Sequence, residues 1–220
     1  MAPFFFLTKF IMPFPTTNAT VELPAINQIL SSCGQAPVTT LDQTNPDVAI
    51  AYDTLLQVSR ETQAEGWTFN TEYHYEMARN ASNEIEIPNN MLQIKLTENS
   101  ANAEFDCVRR SGKLYDRQHH TYDLSDISGD TVECDIVWEF DWVDLPEPVR
   151  DFITCRAAVL VSQRIVGDTG QYQMLQQQEA FARARALEYE TQQGQFTFFG
   201  HPQGQQNYYQ SYKPFQVLQR

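Results

Sequence analysis

A chain of 220 residues, 42% apolar and 20% charged, carries enough hydrophobic side chain for one large domain or two small ones, which excludes a disordered polymer. The net charge of −13 is concentrated in residues 61 to 145, where eighteen acids stand against six bases. Such a stretch repels nucleic acid and has none of the basic, aromatic-interleaved stripes that phosphate binding uses.

The first twenty residues read as an N-terminal extension. MAPFFFLTKFIMPFP is apolar, but it has no basic leader region and no small-residue cleavage site, and Lys9 and prolines at 3, 13 and 15 interrupt it, so it does not read as a signal peptide. It is also too short to span a bilayer, and no membrane contact is expected. Met12 is an alternative start.

The spacing of Leu23, Ile26, Leu30 and Cys33 predicts the inner face of a short helix, which Gly34 stops in a left-handed conformation. After the linker QAPVTTLDQT, Asn45 is an N-cap, Pro46 suits the first helical position and Asp47 complements the helix dipole. Val48, Tyr52 and Leu55 form the inward stripe of this second helix, which ends at Gly66. At Trp67 to Asn70 the apolar period changes from 3.6 to 2, as at the start of a strand, and Trp67 is expected between helices and sheet.

Short alternating runs follow: Tyr73 to Met77, Glu84 to Ile87, Met91 to Leu96, Glu104 to Val108, Lys113 to Tyr115 and Thr131 to Phe140. Turn-forming stretches separate them, and the spacing predicts a compact antiparallel sandwich or barrel. In TVECDIVWEF, Val132, Cys134, Ile136 and Trp138 share a core face, opposite Glu133, Asp135, Val137 and Glu139.

Helical periodicity returns at Leu145. Pro146 and Pro148 fit a first turn, and Val149, Phe152, Ile153, Ala157 and Leu160 make an apolar stripe that runs until Gly167. A glutamine-rich fourth helix spans about 170 to 193, with Met174, Phe181, Ala184 and Leu187 assigned to its inward side. The expected fold class is α+β: a helical bundle from residues 21–66 and 145–193, a β-domain inserted at 67–144, and an extended tail at 194–220. Only Lys213 and Arg220 are charged in that tail, which holds Phe196, Phe198, Phe199, Tyr208, Tyr209, Tyr212 and Phe215. Aromatics of this kind anchor protein interfaces, so these seven are the candidate interface residues.

Chemistry is sparse by comparison. Cys33, Cys107, Cys134 and Cys155 fall in different elements without a close pair, which argues for reduced thiols rather than a disulfide framework. Cys107, His119, His120 and Cys134 include zinc-ligand types, but at separations that match no compact zinc motif. His74 and His201 read as surface or interface residues. Asp135, Glu139 and Asp141 could supply an acid and nucleophile pair for glycoside cleavage, yet carboxylates are so abundant here that such a pairing arises by chance. No nucleophile elbow, phosphate loop, HExxH or dinucleotide fingerprint occurs. No catalytic, cofactor-binding or metal residue is therefore assigned.

Four segments in register resemble the tail tubular protein A family, the head-to-tail adaptors of short-tailed bacteriophages. They are Gly34, Pro37, Val38, Thr40 and Leu41 with Gly66 to Asn70; Tyr115, Asp116 and Arg117; Leu145 and Pro146 with Val149 to Ile153; and the Leu175 to Glu190 helix ending in Glu188, Tyr189 and Glu190. The resemblance implies a non-enzymatic virion component assembled in the host cytoplasm. It would form a ring of twelve copies between the portal protein and the tail nozzle, a tail tubular protein B-like partner, with DNA passing through without specific binding. Acidic walls suit such a conduit. The competing expectation is a carboxylate-based glycan hydrolase associated with the tail.

Overall fold

A computed structural model of the chain describes residues 19–41, 45–97, 105–127, 129 and 131–194. In order these form α1 (Ala19–Ser32), α2 (Pro46–Gln63), β1 (Thr71–Ala78), β2 (Met91–Leu96), β3 (Cys107–Arg110), β4 (Lys113–Asp116), β5 (Thr131–Trp138), one 3-10 turn at Trp142–Asp144, α3 (Glu147–Ile165) and α4 (Thr169–Gly194).

The helix ends follow from local chemistry. Gly34, at φ +75°, donates its N–H to the Ser31 carbonyl at 3.0 Å, and the Gln35 N–H reaches the Leu30 carbonyl at 3.0 Å. Together these satisfy the last carbonyls of α1 in a Schellman arrangement. At the start of α2 the Asn45 side chain accepts the Asp47 N–H at 3.1 Å, with Pro46 in the first turn. The α1 core face comprises Ala25, Ile26, Ile29 and Leu30, whereas Leu23 and Cys33 are only half-buried at its margins.

The four helices share one core. It holds Val48, Ala51, Tyr52, Leu55 and Val58 of α2, Val149, Phe152, Ile153, Ala157, Ala158 and Val161 of α3, and Trp67 from the connector. Leu160 is half-buried beside it. Helix α3 packs against α1, α2 and α4, and α4 packs chiefly on α3.

Helix α4 corrects the expected phase. Ala182 and Ala186 are its fully buried residues, while Met174, Phe181, Ala184 and Leu187 all face outward. The physical reason is that polar side chains seat this helix. Arg156 of α3 pairs with Glu179 at 3.2 Å, Arg185 pairs with Asp151 at 3.4 Å, and the Arg183 guanidinium lies 5.2 Å from the centre of the Phe152 ring. Two alanines then let the helices approach closely.

The strands enclose a second core of Met77, Ile85, Ile87, Met91, Leu96, Cys107, Leu114, Leu124, Ile127, Val132, Cys134 and Ile136. Strand β5 lies between β1 and β2, antiparallel to both, and β3 pairs with β4 in a separate hairpin. Ser111 and Gly112, at φ +52° and +72°, make the two-residue turn whose twist suits such a hairpin. The expected sandwich or barrel thus resolves into two small antiparallel sheets, and among the described residues no barrel closes. Three strands around β5 are too few to curl shut.

Three further boundaries differ from the sequence reading. Residues 68 to 70 form a turn, with β1 starting at Thr71. The Glu84 to Ile87 run contributes one bridge, Glu86 to Lys113, instead of a strand. Strand β3 begins only at Cys107, and Glu104 lies outside the described residues. In β5 the alternation holds, with Val132, Cys134 and Ile136 fully buried, although Val137 is buried as well. Val137 faces the connector, where a side chain at Gly66 (φ +78°) would come within 3.4 Å of its Cγ2.

Candidate functional site

The helical and β cores meet through two polar side chains. Gln63, the last residue of α2, accepts the Phe140 N–H at 2.7 Å and donates to the Phe140 carbonyl at 3.1 Å. Asn70 accepts the Trp67 N–H at 2.8 Å and donates to the carbonyls of Gln63 and Trp138, each at 2.9 Å. Its own carbonyl accepts the Trp138 N–H at 2.8 Å. Both side chains are buried, so they act as backbone surrogates that lock the exit of α2 to the end of β5. Trp67 sits in the helical core, not between the cores, with its indole N–H on the Thr62 carbonyl at 2.7 Å.

The motif residues brace the same frame. Asn27 of α1 holds Val38 of the connector by two hydrogen bonds, at 2.8 and 3.0 Å. The Glu190 carboxylate near the end of α4 accepts the Thr68 N–H at 2.8 Å as well as the Thr68 hydroxyl. Asp116 is fully buried and accepts the Gln118 N–H at 2.9 Å and a contact from the His119 ring. Burial works to raise its pKa, but the hydrogen bonds it accepts outweigh that and leave it lowered.

A group of carboxylates lies near the junction. Glu22 of α1 is buried, and desolvation raises its pKa against the opposing Tyr52 hydrogen bond, with the charge of Asp141 adding to the rise. Glu139 is raised by burial too, opposed by Arg60, which approaches to 3.1 Å, and reinforced by Asp141. Asp135 instead braces the β1 bulge, accepting the Thr97 hydroxyl at 2.7 Å and the N–H of His74 at 3.1 Å. Asp135 and Glu139, two of the three carboxylates considered for glycoside cleavage, are thus held by structural contacts within the fold. Burial pushes the thiols of Cys107 and Cys134 up to about 12, so neither is a thiolate near neutral pH. Among the described residues no group of three or more His, Cys, Asp and Glu side chains is placed to hold a metal, and no helix is long and apolar enough to cross a membrane.

The arginines that could make a concealed basic patch are engaged. Arg150 pairs with Glu147, Arg156 with Glu179, Arg183 with Glu65 and Arg185 with Asp151, while Arg164 donates to the Thr54 hydroxyl at 3.1 Å.

The seven aromatic tail residues, Phe196, Phe198, Phe199, Tyr208, Tyr209, Tyr212 and Phe215, lie outside the described residues. The two most exposed large apolar side chains that are described sit on α4, Phe181 at 73% and Met174 at 67%, followed by Val143 of the 3-10 turn at 51% and Leu187 of α4 at 47%. On α2, Ile50 and Leu56 are exposed at 38% and 39%. These contact candidates escaped the sequence reading. Ile50 and Leu56 were legible as apolar residues off the Val48, Tyr52 and Leu55 phase, and Gln63 as a polar residue on it.

No curated protein matches this sequence. The frame held by Asn27, Gln63, Asn70 and Glu190 falls inside residues 23–196, the span over which the model for the tail tubular proteins matches, and the chain therefore belongs to that family of phage tail structural components.

Proposed function

We propose that this chain is the head-to-tail adaptor of a tailed phage, forming a ring of twelve copies between the portal protein and the tail nozzle and lining the channel through which DNA leaves. The family match carries this reading, because it spans both helical pairs and the β unit. In this arrangement the helical unit, residues 21–66 with 145–193, sits near the portal, and the β unit, residues 67–144, reaches towards the nozzle. The acidic stretch from 61 to 145 supports a channel that DNA traverses without sticking, since like charge lowers the local concentration of phosphate. Residues 194–220 dock on a portal subunit or the adjacent copy, with Tyr208, Tyr209, Tyr212 and Phe215 as anchors. No catalytic step and no cofactor enters the role. Assembly takes place in the host cytoplasm, and the product is part of the virion.

Co-sedimentation with portal rings tests the reading. The full chain is expected to pellet with the rings, and a chain lacking residues 195–220 to pellet much less. Full-strength binding by the truncated chain would remove the tail from the contact, and no binding by either form would remove the adaptor role.

A further inference from the structure

We infer that α4 is a hinged strap: polar contacts dock it on the helical unit, and it swings out as a helix about the turn at 166–168. Its inward side holds little that the hydrophobic effect would retain. Ala182 and Ala186 are its fully buried residues, and Tyr172, Leu175 and Tyr189 are half-buried. Two buried methyl groups contribute little towards securing a helix of 26 residues. Helix α3, by contrast, commits Val149, Phe152, Ile153 and Val161 to the core. The docking of α4 therefore leans on side-chain polar contacts spread along its length. Gln171 donates to the Ser32 carbonyl at the end of α1, and Glu190 accepts the Thr68 N–H at 2.8 Å. Between them, Glu179 meets Arg156 of α3 at 3.2 Å, Arg183 meets Glu65 beyond α2 at 3.2 Å, and Arg185 meets Asp151 of α3 at 3.4 Å. Each of these three pairs is partly exposed, so salt screens it.

What keeps α4 helical is local and leaves with it. Asp168 caps its start, accepting the Gln171 N–H on its side chain at 2.9 Å and the Tyr172 N–H on its carbonyl at 3.0 Å. Its sequence is dominated by Ala, Gln, Glu, Arg and Leu, all strong helix formers, and it exceeds the length of about 12–15 residues below which isolated helices are marginal. Glu179 and Arg183 have separate partners in the docked position, yet they stand four residues apart in the favourable order and can pair with each other on release. On the other side of the turn α3 is closed by its own cap, with the N–H groups of Val166 and Gly167 on the Ser162 carbonyl at 2.9 and 3.1 Å. Gly167, at φ +69°, is thus a hinge between two completed helix ends. A helix of this length is a lever of about 39 Å, and its swing carries residues 195–220 with it. Release involves a single copy and does not depend on the ring reading.

The test is amide hydrogen exchange of the full chain, read by mass spectrometry at about 0.05 M and about 0.5 M salt. The parent is compared with a double variant, Arg156→Gln and Arg185→Gln, which removes two of the three ion pairs and leaves the buried core untouched. In the parent, amides of α4 are expected to exchange faster than those of α2 and β5, and about tenfold faster again at the higher salt, while α2 and β5 hold their rates. The variant should show that faster α4 exchange already at the lower salt and respond little to more. Amides of α4 that exchange as slowly as those of α2 under every condition would overturn the strap. Fast exchange of α4 that ignores both salt and the substitutions would overturn its polar docking.

Discussion

Asn70 is the residue on which the two cores depend most. Replacing it with alanine strands the Trp67 N–H and the carbonyls of Gln63 and Trp138, all in a buried setting. An unsatisfied buried group costs roughly 1–3 kcal/mol, so Asn70→Ala is expected to lose about 3 kcal/mol in denaturant unfolding. A loss below about 1 kcal/mol would mean that water takes over the bonds. Glu22 acts in the opposite sense. Burial lifts its carboxyl above the ordinary value of 4.5, so its contribution to stability is fully present below that value and is lost as pH rises through the folded pKa. Glu22→Gln should therefore melt higher than the parent at pH 7, with the difference narrowing towards pH 4. An equal difference at both values would show that the carboxylate is not strained by burial.

At the scale of elements, the Trp67 connector joins α2 to the helical core, and its indole is both packed and hydrogen-bonded. Truncation to alanine is expected to cost about 3–5 kcal/mol, read as a lowered unfolding midpoint and increased binding of an apolar dye. Unchanged stability would contradict the packing. Elements governed by neighbouring residues were legible in the sequence. The Asn45 cap, the Gly34 stop and the alternation of Val132, Cys134 and Ile136 each depend on chemistry within a turn or on one face. Helix α4 was not legible, because its phase is set by Arg156, Asp151 and Phe152, residues of another helix, while apolar periodicity alone favoured Met174 and Phe181. Strand closure was not legible for a similar reason: pairing around β5 joins segments some forty to sixty residues apart in sequence. The site followed the same division. The tail aromatics were evident by composition and Ile50 and Leu56 by their departure from the inward phase of α2, whereas the exposed face of α4 emerges only once the helices are packed.

For the molecule as a whole, charge and assembly are the two testable properties. Residues 61 to 145 carry an excess of twelve acids over bases, and among the described residues the arginines of α3 and α4 are tied to carboxylates or to Thr54, which leaves those two helices no free basic stripe for duplex DNA. The isolated chain is expected to show no submicromolar binding to duplex DNA at physiological salt. Tight binding that weakens with added salt would reveal phosphate contacts and contradict the account of the acidic channel. The central claim is that this family member works as a structural ring on the portal. The most direct measurement is electron microscopy of the purified chain mixed with portal rings. The account predicts a second ring stacked coaxially on the portal with an open channel through both; bare portal rings beside unassembled chain would contradict it.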